Sequence, residues 1–383
     1  MNPPLSPWRC VLRELHAHRL TLPLAEPLDT GRGRFANREV VLIELAVEFD
    51  GEIRTGWGEA SPLAGWCGGR PKAIETEARR FGMPCEIDFS DLGPALGPLD
   101  PLPVLRHGVE TALFDARARH AGQTLARTLI RTRAVLLAHP EAEPATSPVP
   151  VQCTIGAAAP EATRQAVRDA IEAGYGCVKL KVGAAAPEAD LARCKMLATE
   201  FSGIRFRLDA NGAWSLPEAL EMLERLPTPA VELVEQPVAP PAFEALLEAR
   251  AGRHGRPSPA IAADESCAGR EQALGLIDDG RVDALVVKPC TLGGLVHACE
   301  VLAHARARGM DIIFSNLMES AVGRAAAAAL AAAWPDFPGP HGLATGAWFG
   351  ADVAPAPDRI EQGLLYPHRA EPGLGFTPVI ART

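Results

Sequence analysis

The sequence predicts an α/β fold, in which a barrel of alternating strands and helices follows a smaller α+β domain. From residue 149 onward, short apolar strands alternate with helical stretches that Gly or Pro ends. Charged residues recur at the predicted strand ends roughly every 24 to 30 residues, about the length of one βα unit. Before residue 149 the pattern is that of antiparallel strands followed by helices.

Composition restricts the classes of function. The 383 residues favour two domains, and 47% hydrophobic with 22% charged residues is ordinary for a globular protein. A net charge of −9 without a basic face argues against nucleic acid binding. No apolar run predicts a secretory signal or a membrane span. Nine scattered cysteines without a CxxC pair indicate reduced thiols and a cytoplasmic location.

The first domain begins with an antiparallel meander. Strands are predicted over residues 11–22, 38–49 and 54–60, with a turn at Asp50-Gly51. Glycine-containing loops are predicted at 25–37 and 61–69.

Helices follow the meander, among them one over residues 103–122. A linker rich in Pro, Ala and Glu is predicted over 136–150. The predicted domains are therefore 1–148, rejoined by the C-terminal segment 355–383, and 149–354.

The second domain alternates regularly. Its strands are predicted to end at Thr154, Val182, Asn211, Gln236, Glu265, Lys288 and about Asn316. Helices are predicted between them over 160–174, 187–201, 216–226, 241–252, 269–280 and 293–309. Strand–helix alternation of this kind predicts parallel β/α units.

One strand carries two lysines. Residues 177–183 have the composition of a buried strand, yet include Lys179 and Lys181. Side chains two apart share one face of a strand, so in a barrel both ammonium groups would point inward. Burying two unpaired cations would cost several kcal/mol each. We therefore expect carboxylates or a metal beside them.

Carboxylates end the next three predicted strands, at Asp209, Glu235 and Asp264. The C-terminal strand ends form the active-site face of a β/α barrel, and converging carboxylates repel one another unless a cation neutralises them. Because all three are oxygen ligands, they favour Mg²⁺, with Mn²⁺ as a substitute, over Zn²⁺.

Lys181 and Lys288 would lie on opposite sides of that metal. A lysine is a useful base only when its pKa is lowered, which burial and neighbouring positive charge achieve; Lys179 and the metal would both supply such charge. A lysine beside carboxylate-bound Mg²⁺ can remove a proton α to a carboxylate. Singly, each residue has a commoner explanation as a helix cap or ion pair, but the regular set favours an active site.

The same residues resemble a known family. The motifs Lys179-Leu-Lys181, Asp209-Ala-Asn211, Glu235-Gln-Pro, Asp264-Glu265-Ser and Lys288-Pro resemble those of the enolase superfamily, specifically its muconate-lactonizing subgroup. Segments 56–62 and 319–324 extend the resemblance over almost the whole chain. Residues 180–183, 207–216 and 341–346 are most similar to o-succinylbenzoate synthases. The resemblance implies a (β/α)7β TIM-like barrel with an N-terminal α+β capping domain.

The resemblance also implies roles for residues. Asp209, Glu235 and Asp264 would bind Mg²⁺. Lys181 would take the α proton of 2-succinyl-6-hydroxy-2,4-cyclohexadiene-1-carboxylate and then protonate the leaving hydroxyl on the same face. Lys288 would stay cationic and steady the enediolate, with Lys179 beside Lys181. Asn211 and Glu265 would lie behind the metal ligands. Ser315, Asn316 and Glu319 would contact the substrate. The loops 25–37 and 61–69 would close over the site. The implied activity is that of a carbon–oxygen lyase in menaquinone biosynthesis.

Three departures bear on the substrate. Residues 315–320 lack the Asp-x-Asp with which dipeptide epimerases of the subgroup hold an amino group. Thr291 stands where members that also racemise N-succinylamino acids carry Arg. The continuation Gly65-Trp-Cys-Gly-Gly is unusual for the family's loop.

Other readings stay open. They are an N-succinylamino-acid racemase or another cycloisomerase of the subgroup, a Schiff-base enzyme using Lys288 or Lys181, and a non-catalytic barrel. The expected partner is a small-molecule carboxylate, neither nucleic acid nor membrane, and the sequence gives no indication of oligomeric state.

Overall fold

A computed structural model of the chain describes residues 8–30, 33–63, 66–67, 69–89, 92–137, 148–156, 159–251, 258–355, 358–368 and 370–380. Within these ranges the fold is mixed α/β, with an antiparallel four-stranded sheet followed by a parallel seven-stranded sheet. No helix of the described part of the chain is both long and apolar enough to cross a membrane. Most of the predicted linker lies outside these ranges.

The antiparallel sheet has the order β3-β2-β1-β4. Its strands are β1 (Arg9–Thr30), β2 (Gly33–Phe49), β3 (Glu52–Glu59) and β4 (Cys85–Asp88). The predicted turn at Asp50-Gly51 is confirmed, since both residues have positive φ, 50° and 84°. Positive φ at both central residues is the geometry of a type I′ hairpin turn.

The prediction of a loop over residues 25–37 is wrong for residues 25–30 and 33–37, which lie in strands, whereas residues 31 and 32 lie outside the described residues. After an irregularity between Pro23 and Leu28, β1 and β2 pair again from Leu28–Phe35 to Thr30–Gly33. Pro23 and Pro27 have no N–H to donate to a ladder. The prolines therefore interrupt the pairing locally without ending the two strands.

The first three helices of the first half contact this sheet, and the fourth packs on the third. They are α1 (Pro71–Arg80), α2 (Gly93–Leu96), α3 (Pro103–His120) and α4 (Leu125–Leu136). The predicted helix over 103–122 is thus confirmed as α3. It approaches β3 closely, since a Cβ added at Gly56 would lie 1.9 Å from the carbonyl oxygen of Ala112. Only glycine at this position lets strand and helix backbones touch.

The parallel sheet runs in chain order from β6 to β12. After a short β5 (Val149–Pro150), its strands are β6 (Cys153–Ile155), β7 (Cys177–Lys181), β8 (Arg205–Asp209), β9 (Val231–Glu235), β10 (Ala260–Ala263), β11 (Ala284–Val287) and β12 (Asp311–Phe314). Each strand ends within two residues of its predicted end. All the carboxyl ends therefore lie at one edge of the sheet.

Helices follow these strands. They are α5 (Pro160–Glu172), α6 (Pro187–Glu200), α7 (Leu216–Arg225), α8 (Pro240–Ala251), α9 (Arg270–Asp279), α10 (Pro289–Leu292), α11 (Leu295–Arg308) and α12 (Ala321–Ala333). Proline begins α5, α6, α8 and α10, where its missing N–H costs no helical hydrogen bond. The alternation of strand and helix is as predicted.

Residues 341 and 342 join the two edges of the parallel sheet. His341 forms a parallel bridge with Val151, just before β6, and Gly342 forms one with Ser315, just after β12. The Gln152 N–H donates to the His341 carbonyl at 2.9 Å, and the Gly342 N–H donates to the Phe314 carbonyl at 2.8 Å. The first and last strands are therefore linked through this short segment.

The C-terminal segment returns to the helices of the first half. It contains β13 (Arg359–Glu361) and β14 (Leu364–Tyr366), which form a small sheet with β5. Further on, the Leu125 N–H donates to the Gly373 carbonyl at 2.7 Å. The Leu374 N–H donates to the Asp115 carboxylate at 2.7 Å. These contacts bind the segment to α3 and α4.

Candidate active site

The carboxyl ends of the parallel strands bring the predicted charged residues together. Lys179 and Lys181 lie in β7, Asp209 and Glu235 end β8 and β9, and Asp264 and Lys288 directly follow β10 and β11. The three carboxylates are 1–3% exposed. The chain has only five lysines, and three of them converge here.

Each carboxylate has an ammonium partner. The Lys179 ammonium donates to Asp209 at 2.9 Å and to Glu235 at 3.0 Å. Lys181 donates to Asp209 at 2.6 Å. Lys288 donates to Asp264. The buried charges are therefore compensated, as burial requires.

The three lysines differ in the exposed fraction of their side chains. The side chain of Lys181 is 33% exposed, against 10% for Lys179 and 5% for Lys288. Lys181 is thus the ammonium with most room for a proton acceptor or donor beside it.

Crowded charge shifts the titration of the carboxylates. Burial and the neighbouring Asp209 raise the pKa of Glu235 to about 8. Burial also raises the pKa of Asp264. Burial alone would raise the pKa of Asp209, but Lys179 and Lys181 together hold that pKa below its ordinary value. A divalent cation at this position would relieve the repulsion among the three groups.

The donor set fits a hard divalent cation in its chemistry. Three buried carboxylates from consecutive strands offer oxygen ligands, which Mg²⁺ and Mn²⁺ prefer. The ammonium groups lie against these oxygens, and the described part of the chain contains no three His, Cys, Asp or Glu side chains grouped as ligands around one point. The three carboxylates that could hold a metal are present, and each accepts a hydrogen bond from a lysine.

Asn211 links three of the charged residues. Its side-chain oxygen accepts from Lys181 at 2.7 Å, and its amide nitrogen donates to Glu265 at 3.1 Å. Its backbone N–H donates to Asp209 at 3.0 Å. The left-handed backbone at Asn211, φ 45°, turns the chain so that these contacts form together.

Sequence reasoning missed Gln236, which orients the backbone of Asp264. Its side-chain oxygen accepts from the N–H groups of Asp264 and Ser266, both at 3.0 Å. Its amide nitrogen donates to the Val238 carbonyl at 2.8 Å. Its place between Glu235 and Pro237 in the Glu-Gln-Pro motif was the available signal.

The three expected substrate contacts lie after β12 and are buried. The Asn316 amide donates to the Thr345 hydroxyl at 3.0 Å, and Ser315 lies 3.5 Å from the Gly342 carbonyl. Glu319 accepts from the Leu317 N–H at 3.1 Å. Burial and the nearby Glu59 raise the pKa of Glu319 to about 7. Thr345 is a residue at this edge that sequence reasoning did not single out.

Arg38, in β2, links residues 317–318 to the antiparallel sheet. Its guanidinium donates to the carbonyls of Ser61 at 2.7 Å and Pro62 at 2.8 Å, in the chain that leaves β3. It also donates to the carbonyls of Met318 at 3.1 Å and Leu317 at 3.3 Å. No sequence signal near Arg38 pointed to partners about 280 residues away.

Glu59 makes a second link, between the end of β3 and the start of α12. Its carboxylate accepts from the Ser320 N–H at 3.0 Å, the Ser320 hydroxyl at 2.5 Å and the Gly323 N–H at 3.0 Å. The end of β3 thus caps the N-terminus of α12 with a fully buried negative charge. Both sheets are therefore fixed to each other beside the three expected substrate contacts.

The loop after β3 also reaches the site. In its described part, the Trp66 ring lies over Lys288, with 3.8 Å between the ammonium nitrogen and the ring centroid. The backbone N–H of Trp66 donates to the Leu63 carbonyl at 3.0 Å. Residues 64, 65 and 68 of the predicted closing loop lie outside the described residues.

Comparison with known proteins gives this arrangement a family. The combination of an antiparallel sheet with a parallel strand–helix sheet is shared with a solved muconate lactonizing enzyme. Residues 162–381 match the enolase C-terminal domain-like family, and the chain belongs to it.

Relatives within the superfamily carry several names. The chain is 36% identical over 233 residues to an o-succinylbenzoate synthase of Thermobifida fusca, covering 60% of this chain and 69% of the relative. It is 27% identical to a hydrophobic dipeptide epimerase of Enterococcus faecalis, covering 84% and 87%. A muconate lactonizing enzyme of Pseudomonas fluorescens, solved with muconolactone, has a similar fold, with a TM-score of 0.82, 22% identity and 96% coverage of both chains.

Proposed function

We propose that the protein is an o-succinylbenzoate synthase, a Mg²⁺-dependent lyase that dehydrates 2-succinyl-6-hydroxy-2,4-cyclohexadiene-1-carboxylate to 2-succinylbenzoate in menaquinone biosynthesis. The observation that carries the proposal is the pair Lys181 and Lys288 on either side of three buried carboxylates, with Lys181 the more exposed. The relative from Thermobifida fusca and the lack of Asp-x-Asp at 315–320 favour this substrate over dipeptides.

Asp209, Glu235 and Asp264 would hold the metal, which supplies positive charge for the substrate carboxylate and its enediolate. Lys181 would accept the α proton as the C–H bond breaks. It would then return that proton to the departing ring hydroxyl on the same face, so that water leaves and the ring becomes aromatic. Lys288 would stay protonated on the opposite side, and Lys179 would hold Asp209 and Glu235 in place.

Asn211 would keep Lys181 aimed at the substrate, and Glu265 would orient Asn211 in turn. Ser315, Asn316 and Glu319 would bound the pocket, and the loop 61–69 would cover it.

We further propose that the sheet is a (β/α)7β barrel closed by His341 and Gly342, with domains at 1–148 and 149–354 and the segment 355–383 rejoining the first. A cytoplasmic location accords with nine free thiols.

A spectrophotometric assay tests the function. Purified protein, Mg²⁺ and the cyclohexadiene carboxylate are mixed, and aromatisation is followed with and without a chelator, with Mn²⁺ as the substitute metal. We expect turnover that the chelator stops and that Lys181→Ala lacks. No aromatisation by protein that binds Mg²⁺ would refute the dehydratase proposal.

A racemase is the second candidate, because lysines on both sides of one carbon can remove and return a proton on opposite faces. Exchange of the α proton of N-succinylamino acids in deuterated solvent tests it. Thr291, in place of the arginine of racemising relatives, leads us to expect slower exchange than dehydration.

A further inference from the structure

Lys288 lies between an acid and an aromatic ring. Its ammonium contacts Asp264 and stands 3.8 Å from the centroid of Trp66, while its side chain is only 5% exposed. A cation within about 6 Å of an indole face is attracted by the ring, more strongly when little water screens the contact. The ring comes from the loop after β3, and the lysine from the opposite sheet.

We propose that Trp66 is a positioning residue for Lys288, holding the ammonium at one place above the reacting carbon. The catalytic consequence rests on the function proposed above, whereas the positioning itself does not. Lysine is a compact charge on a flexible stem with three rotatable donors, so one carboxylate leaves its orientation only partly defined. The indole face supplies the second restraint.

The restraint matters most when Asp264 acts as a ligand. A carboxylate shared with a divalent cation attracts an ammonium less than a free one does. The ring is unaffected by that change, so Trp66 would keep Lys288 in place while Asp264 serves the metal.

Hydrogen bonds on both sides of Trp66 restrain the loop that carries its ring. Arg38 binds the carbonyls of Ser61 and Pro62 at 2.7 and 2.8 Å. The Leu63 N–H donates to the Cys67 sulfur at 3.4 Å, on the far side of Trp66 in sequence. The segment carrying the ring is therefore attached through Arg38 to residues 317–318, which follow β12.

Nuclear magnetic resonance of lysine ε-methylene groups tests the geometry without any activity. With five lysines in the chain, carbon-labelled lysine gives few signals to assign. In the wild-type protein we expect the Lys288 ε protons upfield of the others and inequivalent, and in Trp66→Leu we expect both features to vanish. Wild-type ε protons at ordinary shifts, or unchanged in Trp66→Leu, would overturn the proposal.

Trp8→Leu is the matched control. Trp8 also lies under a cation, with Arg117 at 5.4 Å, but it precedes β1 and stacks on Phe89, which follows β4. Loss of the Lys288 signal pattern in Trp8→Leu as well as in Trp66→Leu would mean general loosening and would overturn a specific role.

Kinetics test the consequence. Trp66→Leu should lower kcat for the cyclohexadiene carboxylate about tenfold with little change in KM, the size of effect expected for one desolvated cation–ring contact. Fluorinated tryptophans, which weaken the ring's attraction at nearly constant shape, should lower kcat stepwise in wild type but not in Trp66→Phe. Equal responses in both proteins, or faster turnover by Trp66→Leu, would overturn the role. If wild type does not turn over this substrate, the dehydratase proposal fails and the resonance experiment alone decides the positioning.

Discussion

Replacing Glu59 by alanine should destabilise the joint between the two sheets far more than an ordinary surface substitution. Glu59 is fully buried and accepts two backbone N–H groups and one hydroxyl at the start of α12. Alanine would leave the N–H groups of Ser320 and Gly323 without this acceptor. Because each unpaired buried donor costs about 1–3 kcal/mol, and a lost helix cap about 1 kcal/mol, we expect a loss of about 4 kcal/mol.

Two features modify that number. Glu59 raises the pKa of the neighbouring Glu319, so its removal relieves part of a like-charge repulsion and offsets some of the loss. Glu59→Gln keeps one oxygen acceptor while losing the charge, so we expect it to lose about 2 kcal/mol. The predicted order of stability is therefore wild type, Glu59→Gln, Glu59→Ala.

Calorimetry and urea unfolding provide the assay. For 383 residues the entropy of unfolding is about 0.8 kcal/mol per kelvin, so about 4 kcal/mol lowers Tm by about 5 °C. Glu44→Gln is the control, since Glu44 pairs with His18 in the antiparallel sheet with 31% of its side chain exposed; we expect less than about 0.5 kcal/mol there. A Glu59→Ala protein as stable as Glu44→Gln would refute the reasoning.

Three further predictions concern the site and its surroundings. Lys181→Ala should abolish turnover while leaving Tm within about 2 °C of wild type, because its side chain is the most exposed of the three lysines; retained activity would remove it as the base. Asp264→Asn should weaken Mg²⁺ binding at least about tenfold by calorimetric titration, and an unchanged affinity would exclude it as a ligand. Burial lowers the pKa of His341 to about 3, so the unfolded chain takes up a proton below about pH 6.5 that the folded protein does not. Stability relative to His341→Gln should therefore fall by about 1.4 kcal/mol per pH unit from about pH 6 to 4, and parallel stability curves for the two proteins would contradict this.

The neutral state of His341 has a structural basis. Its Nδ1 accepts from the Phe314 N–H at 3.3 Å, and its Nε2 donates to the Phe337 carbonyl at 3.0 Å. A protonated ring would have no acceptor for the Phe314 N–H. Because His341 bridges to Val151 at the edge of the sheet, its protonation should loosen the link between the first and last strands.

The succession of strands and helices was predictable from local pattern. Turn residues, apolar runs and prolines at helix starts act over a few residues, so the strand ends from β6 to β12 fall where the sequence places them. The convergence of Lys179, Asp209, Glu235, Asp264 and Lys288 followed from one further rule, that parallel strands present their carboxyl ends at one edge. The loop predicted at 25–37 was wrong, because two prolines interrupt a ladder without ending it.

The sequence by itself thus determined the alternating fold and the charged set at its strand ends, since both depend on order along the chain. Tertiary structure alone decided which lysine is exposed, and how the two sheets meet. Arg38 finds the Met318 carbonyl 280 residues away, and Trp66 finds Lys288 across the same boundary. Such pairs depend on how separate elements pack, and no local period encodes that packing.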